Sequence, residues 1–272
     1  MVMTVFNAER FLSESINSLL AQDFENWELN VVENGSTDRS AEILSKFDDS
    51  RIVKRFLSNN IGRTKALNLA LSDSTAPYVA VLDADDLASR SRLSKEVRFL
   101  ENNPHVGLVA SWSLFIDDAG NPYAKHTPPA THRELIRCMA TSNPFVHSSV
   151  MFRRSILDQV GNYDERFEYA QDFNLAFRIA KESGVAVISE YLCSWRRTSG
   201  AMTGSISNRL VRSRDEAIVF EESSKIVKFD ILNSLFNRKQ KVLTRLILVF
   251  NLLLDGQMID ATKVIVNGPH HV

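Results

Sequence analysis

The run Tyr78-Val79-Ala80-Val81-Leu82 ends directly in Asp83-Ala84-Asp85-Asp86. It follows Ala76-Pro77, is short and lacks polar alternation, so it predicts a strand buried on both faces of an α/β sheet. Carboxylates cannot stay unpaired inside a dry sheet. Asp83, Asp85 and Asp86 are therefore expected at the C-terminal end of the strand, where open α/β sheets place ligands. Extended backbone sends residues i and i+2 the same way, so Asp83 and Asp85 should converge, with Asp86 opposite or turned into the loop. Two carboxylates so placed repel unless a cation lies between them. Hard oxygen ligands suit Mg²⁺ or Mn²⁺, which keep positions open for substrate phosphates. Taken alone, so short a pattern also recurs by accident as an acidic turn after a strand, and its neighbours decide the matter.

Those neighbours alternate. Met1–Phe6 reads as a strand. Asn7 opens a cap region before the helical spacing of Leu12, Ile16, Leu19 and Leu20. Trp27–Glu33 is a second strand, closed by the turn and cap cluster Asn34-Gly35-Ser36-Thr37-Asp38. A helix around Ala41–Phe47, a strand over Arg51–Phe56 and a helix around Ala66–Leu71 follow, and Leu93, Val97 and Leu100 form a helical face after the Asp83 turn. The order β-α-β-α-β-α-β-α predicts a parallel, Rossmann-like sheet with helices on both faces. The pattern then becomes mixed. Val106–Ile116 reads as strand, Asp117–Pro122 as turn, and Thr131 with Glu134 as a capping box opening a helix to Met139. His147–Arg153 reads as strand, Asp172–Ser183 as a helix closed by Gly184, and Val185–Glu190 as strand. From Asn208 onward only helices are expected. The abrupt start predicts that the first strand begins upstream of Met1.

Composition narrows the function classes. With 272 residues, 44% hydrophobic and 24% charged, the chain is an ordinary globular one. A formal charge of −1 argues against a nucleic-acid-coating surface. Cys138 and Cys193 lack C-x-x-C spacing and read as reduced thiols of a cytosolic protein. No His pair has zinc-ligand spacing. The most apolar run, Val242–Leu254, carries Arg245 and Asn251 and is too short to span a bilayer.

Neither G-x-x-x-x-G-K-[ST] nor G-x-G-x-x-G is present, so a nucleotide would need a different grip. Loops at the strand ends offer one: Thr4-Val5-Phe6-Asn7-Ala8-Glu9, Glu33–Asp38, Asn60-Ile61-Gly62 with Lys65, and Asp83–Asp86. In this order they resemble the inverting family-2 glycosyltransferases of the GT-A fold. Thr4-Val5-Phe6-Asn7 stands where that family has strand-Pro-Val-Tyr-Asn, Glu33–Asp38 where it has D-D-G-S-T-D, and Asp83-Ala84-Asp85 is similar to its D-x-D element. His147–Arg154, Gly161-Asn162-Tyr163-Asp164-Glu165, Gln171-Asp172 and Trp195–Thr198 continue the likeness. It covers residues 1 to about 204.

The resemblance implies a GT-A domain over residues 1–207, with a nucleotide-sugar half to about 103 and an acceptor half from about 104. A helical extension over 208–272 lies outside the likeness. It implies that Thr4, Phe6, Glu9 and Asn34 hold the nucleoside, with Asn34 facing the base, and that Val5 and Asn60 also belong to the nucleotide-sugar site. Lys65 would approach the diphosphate, and Asp83, Ala84 and Asp85 would serve ribose and metal, Asp85 and Asp83 being the metal carboxylates for Mn²⁺ or Mg²⁺. Asp172 would be the catalytic base, with His147, Gln171 and Arg196 on the acceptor side. Three positions depart from the family. Asn34 replaces an acid, although an amide oxygen still accepts from a uracil or thymine N–H. Thr198 replaces a histidine, and Gln171 an acid.

The implied activity is inverting, metal-dependent transfer from a nucleotide diphosphate sugar, UDP-linked, to a saccharide or lipid-linked saccharide in surface polysaccharide or glycolipid synthesis. Two other readings compete. A sugar-phosphate nucleotidylyltransferase would carry a glycine-rich loop after the first strand, and Thr4–Arg10 has no glycine. A non-catalytic nucleotide-sugar-binding protein would fit the departures at Asn34 and Thr198, but not the retention of Asp83, Asp85 and Asp172. Individual residues have plainer readings too: Asp172 as an N-cap, His147 as a core histidine, Lys65 as a solvated lysine, Arg196 and Arg197 as surface coating, Trp112 and Trp195 as core. In the tail, Leu243, Leu246, Ile247, Phe250, Leu253 and Leu254 form an apolar stripe behind Arg238, Lys239, Lys241 and Arg245. It reads as a helix docked on the domain or a second copy, or as peripheral attachment of a cytoplasmic protein to an anionic membrane face.

Overall fold

The structure, a computed structural model, describes residues 1–197 and 206–226. Thr198, the apolar stripe and its basic cluster lie outside the described residues. The elements in chain order are β1 (Val2–Val5), α1 (Leu12–Leu20), β2 (Leu29–Glu33), α2 (Ser40–Ser45), β3 (Ile52–Phe56), α3 (Arg63–Ser72), β4 (Tyr78–Ala80), β5 (Leu87–Ala88), α4 (Arg92–Asn102), β6 (Val106–Ile116), β7 (Pro122–His126), α5 (His132–Met139), β8 (Met151–Arg153), α6 (Arg154–Val160), α7 (Gln171–Glu182), β9 (Gly184–Arg196) and α8 (Ile206–Ile226).

Strands β1, β2 and β3 pair in parallel in the order β1-β2-β3. A parallel bridge from Val2 to Val81 sets the residues after β4 beside β1. The second sheet runs β4-β8-β6-β9-β5, with β7 on β6. It is mixed: β6 and β9 are parallel, and β8 is antiparallel to both β4 and β6. The expected parallel half and mixed half are both present. Period-two alternation sorts the strand side chains into two cores. Met3, Val5, Leu29 and Val31 pack with α1, α2 and α4, while Val2, Val32, Val79 and Val81 pack with α3, α6 and α7. Helices therefore cover both faces.

Several boundaries differ from expectation. Residues His147–Ser149 form a single 3-10 turn, and the strand starts only at Met151, because the Ser149 N–H turns back to the Val146 carbonyl. Asn7 does not cap α1; it sits at φ 51 and its Oδ1 accepts from the Thr37 N–H at 2.8 Å. The Thr131 hydroxyl pairs with the Glu134 carboxylate at 2.5 Å rather than with backbone. Gly184 does not close α7. It opens β9, where a Cβ would stand 2.9 Å from the His105 carbonyl oxygen. Strand β9 runs to Arg196, six residues beyond the alternation that marked it. The short elements β5, β7 and α6 had no periodic signal.

Helix α8 begins the extension, yet it shares the domain core. Val219 is fully buried in the cluster that holds Phe173 and Ile179, and Phe220 meets Phe173 edge-on at 5.2 Å. Asp215 is also fully buried. Its Oδ2 accepts the Glu168 and Tyr169 N–H groups at 2.9 and 3.1 Å, just before α7. Both cysteines are free, Cys193 buried and Cys138 partly exposed. Among the described residues no helix is long and apolar enough to cross a membrane.

Candidate active site

The loops after β1 and β2 are laced together by short polar side chains. Asn7 N–H donates to Ser36 Oγ at 3.0 Å, Ala8 N–H to Ser40 Oγ at 2.8 Å, and Glu9 N–H to Asp38 Oδ2 at 3.0 Å. Glu9 in turn accepts from the Arg39 backbone and Nε. Buried Glu33 closes the following turn by accepting from Ser36 N–H at 2.8 Å. Gly35, at φ +69, lies so close to the next loop that a Cβ would fall 2.4 Å from the Asn59 carbonyl carbon. Only glycine fits there.

Asn34 sits at this contact, 2% exposed. Its Oδ1 accepts from Ile61 N–H at 3.0 Å and its Nδ2 donates to Asn60 Oδ1 at 3.1 Å. The residue thus joins the second and third loops, and its carbonyl oxygen keeps one lone pair beyond the Ile61 bond. Thr4 is partly exposed at the end of β1. Val5 is core, and Phe6 projects with 44% exposure.

Asp83 is the centre of charge. Arg63 Nη2 lies 2.6 and 2.7 Å from its two carboxylate oxygens. Burial alone would raise this carboxyl, but the Arg63 charge and the neighbouring His147 hold it well below the usual range. Asp85, two residues on, has no hydrogen-bonding or ionic side-chain partner among the described residues. Burial and the Asp83 charge push its carboxyl up to about 6. Asp86 turns inward, as one of the two expectations had it. It is fully buried, accepts from Ser148 Oγ and, at 2.7 Å, from Arg196 N–H. Burial and the charges of Asp85 and Asp83 raise it well above the ordinary value. Ala84 is buried between them.

Eighty-four residues from Arg63 along the chain, His147 brings Nδ1 to 3.0 Å from its Nη2. His147 Nε2 stands 2.8 Å from the Tyr163 hydroxyl. Tyr163, Asn143, His147 and Asp172 line one small cavity beneath β6 and α7. Asp172 is the second residue of α7, and Asn143 Nδ2 donates to its Oδ2 at 3.1 Å. The structure therefore brings Asp83, Asp85, His147 and Asp172 to one end of the sheet.

Three expected residues are placed differently. Lys65 is exposed. The cation at the carboxylates is Arg63, and residues two apart on a helix face away from one another. Arg196 is 2% exposed and presents nothing to an acceptor. Its Nε donates to the Asp85 carbonyl at 2.9 Å and its Nη2 to Glu14 at 2.6 Å, with Phe11 stacked at 4.4 Å. Gln171 is buried too, its amide turned to the Glu168 and Tyr169 carbonyls. Sequence reasoning missed Arg63, Asn143 and the hydroxyl of Tyr163. For Arg63 the signal was its place directly after Gly62, at the first position of α3.

A family model described as "Glycosyl transferase family 2" matches residues 1–161. An uncharacterized glycosyltransferase of Methanocaldococcus jannaschii is 32% identical over 203 residues, 72% of this chain and 69% of that one. The putative glycosyltransferase EpsE of Bacillus subtilis is 31% identical over 188 residues, 66% of each chain. The chain thus spans about two thirds of the length of these relatives. The amylovoran biosynthesis glycosyltransferase AmsE of Erwinia amylovora is 32% identical over 123 residues, 45% of this chain and 46% of that one. Among solved structures, Staphylococcus aureus TarS 1-349 in complex with UDP-GlcNAc superposes with TM-score 0.66 at 18% identity, covering 92% of this chain and 71% of that one. Mannosyltransferase PcManGT from Pyrobaculum calidifontis, in complex with GDP-Man and Mn²⁺, gives 0.63 at 18% identity, covering 98% and 78%. The fold shared with these neighbours is GT-A.

Proposed function

For this chain, which belongs to glycosyl transferase family 2, we propose inverting transfer of a sugar from a UDP-linked donor to an acceptor hydroxyl, in building a surface polysaccharide or glycolipid. The observation that carries the reading is the convergence of Asp83, Asp85 and Arg63 with Asp172 at one end of the sheet. Donor-side charge and a candidate base thereby meet across a gap that sequence alone leaves open. Two donors seen in structural neighbours, UDP-GlcNAc and GDP-Man, are nucleotide diphosphate sugars. AmsE is named for amylovoran biosynthesis, and TuaG of Bacillus subtilis, 32% identical over 127 residues, as a putative teichuronic acid biosynthesis glycosyltransferase.

The residues fit a divalent metal in one specific way. Asp85 is a hard oxygen donor with no salt bridge among the described residues, although the charges of Arg63 and Arg196 reach it, while both oxygens of Asp83 face Arg63. Among those residues no group of three His, Cys, Asp or Glu is arranged to hold a metal ion by itself. Mg²⁺ or Mn²⁺ needs only one or two carboxylates where substrate phosphates supply the other oxygens. Asp85 would hold the metal, and bound there it would neutralise charge developing on the departing diphosphate. Asp83, fixed by Arg63, would face the ribose. Asn34 would offer its free lone pair to the N–H of a uracil.

Asp172 would take the proton of the acceptor hydroxyl as that oxygen attacks the anomeric carbon from the face opposite the diphosphate. Asn143 holds one of its oxygens and leaves the other for this work. The test is Asp172→Asn, which keeps size but removes the proton acceptor. Donor affinity by calorimetry should survive, and turnover should fall by roughly two to four orders of magnitude. Near-normal turnover would move the base elsewhere. Lost donor binding would put Asp172 in the metal site.

A further inference from the structure

Aromatic rings gather where β7, β6 and β9 lie side by side, and the proposed chemistry uses none of them. Phe115 is the hub. It stacks on His126, with ring centres 5.7 Å apart and planes 11° apart. It meets Trp195 at 4.8 Å and Tyr123 at 6.4 Å, both tilted. Phe115 and Trp195 are direct partners across the β6–β9 ladder. Rings of this size are ordinarily well buried. Yet Phe115, Trp195 and His126 are only partly covered, and Tyr123 is 52% exposed. Among the described residues, Phe115, Tyr123 and Trp195 belong to neither hydrophobic core. Trp112, by contrast, packs against a core, and its Nε1 donates to the Pro128 carbonyl at 3.2 Å.

The cluster is tied at both ends to the site. His126 Nε2 lies 2.9 Å from the Pro144 carbonyl. A carbonyl only accepts, so His126 donates and its ring is fixed there. The neighbouring Asn143 holds Asp172 at 3.1 Å. At the other end, Arg196 follows Trp195. Its N–H donates to Asp86 at 2.7 Å and its Nε to the Asp85 carbonyl at 2.9 Å. The rings are thus linked on one side to the turn of the candidate metal carboxylate and on the other to the segment that holds the candidate base. An acceptor hydroxyl has to reach between those two, so the molecule that carries it passes beside what flanks them.

We propose that Phe115, Tyr123 and Trp195 form a platform on which a pyranose ring of the saccharide acceptor stacks, next to the sugar that receives the transfer. The inference rests on the reading of the chain as a transferase acting on a saccharide. A pyranose bears C–H bonds on its faces and hydroxyls around its rim. Those C–H hydrogens suit the negative face of an aromatic ring, and the contact removes apolar surface from water. Cross-strand aromatic pairs also stabilise a sheet, but that role does not call for a ring left half in water.

The experiment uses the full chain with UDP and Mn²⁺. Cellotriose, maltotriose, chitotriose and mannotriose are titrated, and binding is read by tryptophan fluorescence and by saturation transfer to the sugar C–H protons. The wild type should bind at least one of them. Tyr123→Ala should weaken that trisaccharide about two- to tenfold, the range of one aromatic contact, and Trp195→Leu at least as much. Tyr123→Phe keeps the ring and should stay within about twofold. UDP affinity should stay within about twofold in all three variants, because the rings do not touch the donor carboxylates. Binding of no trisaccharide by the wild type, binding only after removal of residues 227–272, or a matching loss of UDP affinity would each overturn the proposal. Unchanged trisaccharide affinity in Tyr123→Ala overturns it too. A lower melting temperature in that case gives the ring to the sheet, and release from phosphatidylglycerol vesicles gives it to a membrane. Failure of the wild type to bind UDP with Mn²⁺, seen before any sugar is added, would instead sink the functional reading on which the proposal rests.

Discussion

Arg63 Nη2 reaches both carboxylate oxygens of Asp83, twenty residues on, at 2.6 and 2.7 Å. A cation so placed keeps Asp83 ionised, and under the proposed function leaves Asp85 for the metal. Arg63→Met should therefore weaken UDP binding at least about tenfold, by removing hydrogen bonds to a charged group worth roughly 1.5–3 kcal/mol. Lys65→Met, on the exposed side of the same helix, should change it by less than about twofold, since an isolated exposed charge contributes little. Calorimetric titration of both variants with UDP and Mn²⁺ checks the pair. The reverse ranking would restore Lys65 to the diphosphate.

Metal linkage is the second expectation. UDP with Mn²⁺ or Mg²⁺ should raise the melting temperature, and UDP with EDTA should raise it much less, because a ligand bound only by the native state stabilises by mass action. Asp85→Asn should erase the metal-dependent part. Equal UDP shifts with and without metal would remove the cofactor from the mechanism.

Arg92 and Glu96 form an ion pair at 3.0 Å with both side chains wholly buried. Among the described residues, Arg92 Nη1 and Glu96 Oε2 have no hydrogen-bond partner. Glu96→Leu alone should cost about 3–5 kcal/mol, for it strands a buried charge, whereas Arg92→Met with Glu96→Leu should recover most of that loss. Burial, against the pull of Arg92, pushes the Glu96 carboxyl from 4.5 up to about 7. Between those two pH values the folded protein keeps a proton that the unfolded chain releases, so this group's contribution to stability falls as pH rises and is gone above about 7. The stability of the double variant relative to wild type should accordingly grow from pH 4.5 to 7. Urea melts at a series of pH values read it directly, and a flat difference would deny the shift.

How much of this was legible in the sequence varies by residue. The apolar run into Asp83 located the carboxylates, since no dry sheet tolerates them inside it. The start of α7 at Asp172 was legible to within one residue. What helical periodicity could not supply was rotation about α3, which sends Arg63 inward and Lys65 outward. Arg196 was misjudged because its partners lie far away in the chain, Glu14 being 182 residues distant. The strand expected at His147 failed because hydrogen bonds to Ser148, invisible in an apolar pattern, hold a turn there.

Asp215 yields the fourth expectation. Its carboxylate satisfies the N–H groups of Glu168 and Tyr169. Asp215→Ala leaves both donors unpaired and should destabilise the domain by about 1–3 kcal/mol or more, with Asp215→Asn recovering part. A truncation after Asn208 should therefore melt lower than one after residue 226, which keeps α8. Identical melts would detach this helix from the domain.

The junction at Asp86 has a consequence for substrate choice. One carboxyl group clasps Ser148, three residues before β8, the strand that flanks β4, and the backbone of Arg196, while Ser148 Oγ also accepts the Asp83 N–H at 3.0 Å. The Asp83–Asp86 turn and the turn at His147–Ser149 are thereby riveted at a common point, like the jaws of a caliper locked at one setting. Under the proposed function, admitting a longer or bulkier acceptor by spreading the jaws would break these bonds. Changes of specificity in this scaffold should then arise by trimming or enlarging the side chains between them, at fixed spacing.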